Sequence, residues 1–130
     1  MKKPEIKMTV IKEESGYSAN GQIGQDFIGT QAETFHELKK MITEAVNLAF
    51  EDKGFTYSIE EIKLEYDLES FFSFYKVINA KALSHRIGMN QSLLSQYING
   101  IKKPSQAQTK RILKGVQQIG KELSEVGFIL

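Results

Sequence analysis

The sequence predicts an α+β protein: a small β-β-β-α-β domain over residues 1–66, followed by an all-α domain over residues 67–130. Two patterns support this prediction. Apolar and polar residues alternate in the first half, and apolar residues recur at helical spacing throughout the second half. The 130 residues suffice for one ordinary domain or two small ones. With 41% apolar and 25% charged residues, the composition is that of a globular protein rather than a disordered or membrane-spanning chain.

The first two strands follow from alternation and from a turn between them. Residues 6–10 place apolar side chains at every second position, which is typical of a half-buried strand. The sequence Glu13-Glu14-Ser15-Gly16 favours a turn, and Tyr17 and Ala19 continue the alternation on the return strand.

Two features of the next segment are left open by the sequence. Asn20-Gly21 is typical of a hairpin, yet it comes so soon after Gly16 that it is equally consistent with a bulge or a strand end. A third strand is expected from Asp26 to Thr30, with either Phe27 or Ile28 facing the core.

A helix is predicted after the third strand. Thr34 and Glu37 have the spacing of a capping box, and Gly54 fits the end of the helix. Apolar residues then recur at helical spacing: Leu38, Met41, Ile42, Ala45, Leu48 and Ala49.

A fourth strand and a further helix follow. Residues 62–66 alternate again and complete the first domain. From Asp67 the spacing is helical, and an aromatic-rich face is assigned to the core of the second domain; it comprises Leu68, Phe71, Phe72 and Tyr75.

Two short helices joined by a sharp turn are predicted next. Asn79 caps a helix over Ala80–Ile87, Gly88 supplies a left-handed turn residue, and Asn90 caps a second helix over Gln91–Ile98. Gly100 ends that helix, and Ser84 is small where the two helices must cross closely. The expected buried positions are Leu83, Ile87, Met89, Leu94 and Tyr97.

A longer amphipathic helix completes the domain. Ser105 and Gln108 have capping-box spacing, and apolar residues follow at Ile112, Val116, Ile119 and Leu123.

The net charge of +1 conceals opposite charges on the two halves. Residues 1–66 carry 8 Lys and Arg against 12 Asp and Glu, whereas residues 67–130 carry 9 against 4. No acidic residue occurs between Ser70 and Lys121, a stretch that contains nine basic residues if both ends are included. This asymmetry favours a polyanionic partner for the second half.

Residues 86–101, with the sequence RIGMNQSLLSQYINGI, resemble the core of the helix-turn-helix of lambda repressor and Cro, and Lys102-Lys103-Pro104-Ser105 resembles the loop that follows it. The resemblance spans about 45 residues, from Asn79 to Leu123, without a gap. It implies that the second helix of the pair enters the DNA major groove with its N-terminal residues at the base edges.

A helix placed in this way brings five residues to the base edges: Asn90, Gln91, Ser92, Ser95 and Gln96. The resemblance itself implies base contacts for Gln91 and Ser92. Arg86 and Asn99 are expected to contact the DNA backbone, and Lys102 and Lys103 to neutralise phosphates. Where many relatives open the first helix with a phosphate-binding Gln, this chain has Ala80, so that contact is not expected.

The first half resembles HicB-type antitoxins. The resemblance is carried by Gly16-Tyr17-Ser18-Ala19, by residues 27–34 (FIGTQAET) and by the order of the domains, although Ile23-Gly24-Gln25-Asp26 replaces the usual Pro-Gly loop. It implies a partial RNase H-like fold, a small basic RNA-cutting partner of the HicA type, and autoregulation of the operon. The alternative is a stand-alone phage-type regulator whose first domain dimerises or binds a ligand.

No catalytic residue, metal site or cofactor is expected. Glu13, Glu14 and Asp26 are the only candidates for a nuclease site, and the adjacent pair points to opposite faces of any strand. His36 and His85 have no partner at metal-ligand spacing. The absence of cysteine suits a reducing cytoplasm, and no apolar run suggests a membrane partner.

The last five residues, Val126-Gly127-Phe128-Ile129-Leu130, are strongly apolar. They are expected either to pack on their own domain or to exchange across a dimer. A homodimer or a higher even oligomer is expected in any case, because paired half-sites raise the affinity of a small DNA-binding unit.

Overall fold

The computed structural model describes residues 2–130 and confirms an α+β protein. Within this range the chain forms one four-stranded mixed sheet and five α-helices. It divides into two compact units, one ending at Phe74 and the other comprising Tyr75–Leu130.

The sheet belongs to the first unit and has the strand order β3-β2-β1-β4. Its strands are β1 (Ile6–Lys12), β2 (Tyr17–Ile23), β3 (Asp26–Ala32) and β4 (Ile62–Tyr66). The first three are antiparallel neighbours, whereas β4 pairs with β1 in parallel. A parallel pairing needs a crossover connection, and helix α1 (Phe35–Phe50) lies in the segment that supplies it.

The expectations of a hairpin, a bulge or a strand end at Asn20-Gly21 are wrong, because both residues lie inside β2 in continuous register with β3. The turn between these strands is instead at Gly24, whose φ of +63° favours glycine. Gly21 is required for a different reason: a Cβ there would lie 2.6 Å from the carbonyl oxygen of Lys7. Strand β1 therefore passes too close to β2 for any side chain at this position.

Helix α1 packs its apolar stripe against one face of the sheet. The buried residues of the helix are Leu38, Ile42, Val46 and Phe50, and the sheet contributes Ile6, Met8, Val10, Ala19, Ile28 and Ile62. Ile28, not Phe27, faces the core. The expectation that Leu48 belongs to the core stripe is wrong, because it lies about 200° around the helix from Val46 and is 73% exposed. Met41 is exposed as well.

The segment between α1 and β4 is held by side chains rather than by regular structure. It contains two 3-10 turns, Glu51–Lys53 and Ile59–Glu61. The Asn47 side chain accepts a hydrogen bond from the Tyr57 backbone N–H at 2.6 Å and donates to the Tyr57 carbonyl at 3.0 Å. The Tyr57 hydroxyl donates to the Pro4 carbonyl at 2.6 Å, and burial raises the pKa of this hydroxyl.

Helix α2 (Leu68–Phe74) belongs to the first unit, so the boundary lies at residues 74/75 rather than 66/67. The Ser70 hydroxyl accepts a hydrogen bond from the Lys12 backbone N–H at 2.9 Å. The ring centroid of Phe74 lies 4.4 Å from the ring centroid of Phe35 and 4.5 Å from that of Tyr17. The aromatic face assigned to the second domain therefore divides, and only Tyr75 falls in that unit.

The second unit consists of α3 (Ala80–Ile87), α4 (Gln91–Ile98) and α5 (Gln106–Ser124), and the bounds expected for the two short helices are confirmed. Five apolar residues are buried in it, together with the polar Ser84: Leu83, Met89, Leu94, Tyr97 and Ile112. Ile87 is only partly buried. No helix in the described part of the chain has the length and apolarity needed to cross a membrane.

Candidate nucleic-acid interface

The turn between α3 and α4 is built by local hydrogen bonds. Gly88 takes a left-handed conformation with φ of +66°, and its N–H donates to the His85 carbonyl. The N–H of Met89 donates to the Ser84 carbonyl at 2.9 Å. Asn90 then caps α4, because its side-chain oxygen accepts from the Leu93 N–H at 3.1 Å. Only three residues therefore separate the two helices, which fixes the direction in which α4 leaves the turn.

Arg111 of α5 braces this turn, a role that the sequence analysis did not identify. Its Nε donates to the Ile87 carbonyl at 3.0 Å and its Nη2 to the Gly88 carbonyl at 2.7 Å. These carbonyls lie at the C-terminal end of α3, where helical partners are lacking and a cation is favoured. In the sequence, Arg111 directly precedes Ile112, the buried residue of α5. This position was the one sequence feature that could have indicated a contact between Arg111 and α3.

Small residues let the helices approach closely. A Cβ at Gly115 of α5 would lie 2.4 Å from the Ile87 side chain, so any larger residue there would push α5 away from α3. Ser84 is fully buried, and its hydroxyl donates to the Lys81 carbonyl at 2.6 Å. Helix α3, which contacts α4, is therefore closely packed against α5.

Helix α4 presents a polar, uncharged face to solvent. All five members of this face are exposed, and they span an arc of roughly 140° at 100° per residue: Gln91, Ser92, Ser95, Gln96 and Asn99. The opposite arc contains the buried Leu94 and Tyr97. This face can donate and accept hydrogen bonds without bringing a negative charge towards a polyanion.

Two of the predicted site residues also have internal roles. The Asn90 side chain caps α4, as described above, and the Asn99 amide donates to the Ser95 carbonyl at 2.9 Å and to its hydroxyl at 3.3 Å. The side chains of Gln91, Ser92 and Gln96, by contrast, make no hydrogen bond to any residue from 2 to 130. These three side chains are therefore available for an external partner.

Arg86 is paired within the second unit. Its guanidinium donates to the Glu122 carboxylate of α5 at 2.6 Å, and both side chains are about half exposed. This hydrogen bond, together with one from Gln118, lowers the pKa of Glu122. The partner lies just outside the acid-free stretch of the sequence, which is why the pattern of charges alone did not reveal it.

Lys102 and Lys103 follow α4 directly. Gly100, with φ of +71°, reverses the chain, and the N–H groups of Ile101 and Lys102 both donate to the Gln96 carbonyl. Both lysines are exposed. Over the described range, none of the seven lysines after Phe74 forms an ion pair.

The observed boundary sharpens the charge asymmetry. Residues 1–74 carry 8 basic and 14 acidic residues, a net charge of −6, and residues 75–130 carry 9 and 2, a net charge of +7. Transferring Asp67 and Glu69 to the first unit therefore makes the second almost free of acidic residues.

The first unit has an acidic groove of about 560 Å³ between the β1–β2 turn, the end of β3 and helix α1. Its lining includes Glu13, Glu33, Glu37 and Glu44, together with the exposed Met41 and one lysine, Lys40. Four carboxylates and one exposed apolar side chain therefore line the same groove.

The candidates for nuclease and metal chemistry do not converge. The Glu13 carboxylate accepts a hydrogen bond from the Ser18 hydroxyl at 2.7 Å. The Asp26 carboxylate forms an ion pair with Lys53, with 3.7 Å between Oδ2 and Nζ. Both His36 and His85 are exposed. No group of three or more His, Cys, Asp or Glu side chains is arranged to hold a metal ion among residues 2–130.

Comparisons of this protein with protein-family models, with curated proteins and with solved structures find no match.

Proposed function

We propose that this protein is a sequence-specific DNA-binding transcriptional repressor and that α3 and α4 form its helix-turn-helix. The observation that carries the proposal is the exposed uncharged face of α4, held at the end of a three-residue turn and followed by two unpaired lysines. In such a motif the second helix lies in the major groove with its N-terminal residues at the base edges.

The available side chains fit this role. Gln91 and Gln96 carry amides that can pair bidentately with adenine, and Ser92 can donate or accept at a base edge. Asn90 and Asn99 have part of their hydrogen-bonding capacity committed to α4, so they orient the reading helix and retain fewer groups for DNA. Lys102 and Lys103 supply the phosphate contacts that position the helix.

Base reading is tested by fluorescence anisotropy with the DNA upstream of the gene and with a scrambled duplex. Gln91→Ala and Gln96→Ala should each weaken specific binding roughly 10- to 100-fold, the equivalent of about 1–3 kcal/mol per bidentate pair, and leave scrambled binding unchanged. Gln117→Ala, an exposed glutamine of α5, is the matched control. Equal losses on both duplexes would contradict base reading.

Phosphate contact is tested by the salt dependence of the same binding. Lys102→Ala with Lys103→Ala should reduce the slope of log K against log salt by about 1.8, since each neutralised phosphate contributes roughly 0.9. Lys63→Ala in the first unit is the control. An unchanged slope in the double variant would exclude these lysines from the interface.

We further propose that the first unit is the toxin-binding part of a HicB-type antitoxin. The β-β-β-α-β order of the first unit supports this proposal, and the acidic groove supplies a surface for a small basic protein. The repressor would then control the operon that encodes both proteins. The alternative is a stand-alone regulator whose first unit dimerises or binds a ligand.

Co-expression with the adjacent gene product separates these alternatives. A small basic neighbour should co-purify with the wild-type chain and lose at least tenfold in affinity to the Glu37→Lys, Glu44→Lys double variant. Glu60→Lys with Glu65→Lys, outside the groove, is the charge-matched control. The lack of a basic neighbour would exclude the antitoxin proposal while leaving DNA binding intact.

A further inference from the structure

Two carbonyls at the C-terminal end of α3 are satisfied from another helix. The carbonyls of Ile87 and Gly88 accept no backbone hydrogen bond within residues 2–130. Arg111 of α5 donates to both, at 3.0 Å and 2.7 Å. The last carbonyls of a helix lack intrahelical partners and favour a nearby cation. Arg111 therefore joins α5 to the residues at which the chain turns from α3 towards α4.

The shape of the Arg111 guanidinium suits this contact. Nε and Nη2 lie on one edge of the planar group, so their N–H bonds form a fixed pair of donors. This edge meets the carbonyls of two successive residues and holds both at once. A lysine ammonium carries its charge on a single flexible atom and has no such edge. The contact therefore depends on the geometry of the side chain as well as on its charge.

Helix α5 provides a firm base for Arg111. Ile112, the next residue, is buried, and a Cβ at Gly115 would lie 2.4 Å from the Ile87 side chain. Helix α3 packs against both α4 and α5, whereas the backbones of α4 and α5 approach each other much less. The orientation of α4 relative to α5 therefore depends on the turn after α3, and Arg111 fastens α5 to that turn.

We propose that Arg111 is a positioning residue that holds α4 at the angle needed to read base edges. The proposal rests on the proposed function, in which α4 lies in the major groove. Gln91 and Gln96 must meet base edges at hydrogen-bond distance and angle, so a small tilt of α4 breaks these contacts. Phosphate contacts from flexible lysines tolerate the same tilt. Arg111 therefore contributes to specific binding and little to the general affinity for DNA.

A direct phosphate contact is the competing role for Arg111. Its side chain is exposed and forms no ion pair in the part of the chain that the structure describes. A phosphate contact requires positive charge, which lysine also supplies, whereas the contact with the turn requires the two-donor edge. Arg111→Lys keeps the charge and removes the edge, so it separates the two roles. Lys114→Arg, the reverse exchange at an exposed residue of the same helix, is the matched control.

Fluorescence anisotropy with the DNA upstream of the gene and with a scrambled duplex tests the reading role. Arg111→Lys should weaken specific binding roughly tenfold or more, and leave scrambled binding and its salt dependence unchanged. Lys114→Arg should change neither. Circular dichroism during thermal unfolding checks that each variant is folded. Specific binding by Arg111→Lys at the wild-type level would overturn the proposal, as would equal losses on the two duplexes.

Amide hydrogen exchange of the free protein, followed by NMR, tests the contact without DNA. Arg111→Lys should speed exchange severalfold at Met89 and Leu94, whose N–H groups bond within the turn and the first turn of α4, and leave the amides of β1 unchanged. Unchanged exchange at these two amides would show that Arg111 does not hold the turn. A wild-type chain without specific DNA binding would instead refute the proposed function and the reading role, so the two failures are distinguishable.

Discussion

At the scale of single residues, the same substitution is expected to have opposite effects at two glycines of α5. Gly115→Ala should destabilise the fold by about 1–3 kcal/mol, because its Cβ would lie 2.4 Å from Ile87. Gly120→Ala meets no atom within 4 Å and should stabilise the helix by about 0.5–1 kcal/mol. Urea unfolding measures both values. Two effects of the same sign would contradict the close contact at Gly115.

The carboxylate of Glu61 gives the first unit a pH dependence. Hydrogen bonds from Lys3, at 2.7 Å, and from the Ser58 backbone lower the pKa of Glu61. The ionised form therefore stabilises the fold above the unfolded pKa of about 4.3, and this contribution is lost as the pH falls through the lowered folded value.

Glu61→Gln should consequently remove part of the fall in Tm between pH 5 and pH 3. Glu60→Gln is the neighbouring control, since Glu60 forms no ion pair among the described residues. A wild-type chain and a Glu61→Gln variant with parallel Tm profiles would exclude a stabilising role for the Lys3–Glu61 pair.

If the proposed DNA binding holds, Glu122 should weaken it, because its carboxylate pairs with the Arg86 guanidinium. Glu122→Gln removes a negative charge 2.6 Å from the guanidinium, and DNA affinity at low salt should rise severalfold. In an Arg86→Gln background the same change should have a smaller effect, which a double-mutant cycle measures. An equal effect in both backgrounds would show that Glu122 acts through its charge alone and not through Arg86.

At the scale of secondary-structure elements, α2 shows where sequence reasoning failed. Its spacing correctly predicted a helix, but its aromatic residues were equally suitable for either core. The choice depends on contacts distant in sequence, namely the Lys12–Ser70 hydrogen bond and the packing of Phe74 on Phe35 and Tyr17. No local pattern contains this information.

Phe74→Ala should therefore destabilise the first unit. The expected loss is about 2–3 kcal/mol, below the roughly 3–5 kcal/mol of a fully buried phenylalanine, because this ring is only partly buried. Val77→Ala, three residues later and 89% exposed, should change stability by less than about 0.5 kcal/mol. Equal stabilities for both variants would place α2 outside the first core.

At the scale of the whole molecule, the boundary at residues 74/75 predicts which fragments fold. A fragment ending at Phe74 should unfold cooperatively, whereas one ending at Tyr66 lacks α2 and should be markedly less stable. Circular dichroism during thermal unfolding distinguishes them. Equal stability of the two fragments would show that α2 contributes nothing to the first unit.

The sequence by itself determined the bounds and caps of α3 and α4, the left-handed turn at Gly88 and the α+β class. The bounds, the caps and the turn depend on interactions within four residues or on the conformational freedom of a single glycine, and the class follows from the apolar periodicity of the two halves. The tertiary structure decided which cations are paired, which core receives α2 and which apolar side chains stay exposed. Arg86, Arg111 and Phe74 each meet partners more than twenty residues away, and such contacts arise only when separate elements pack together.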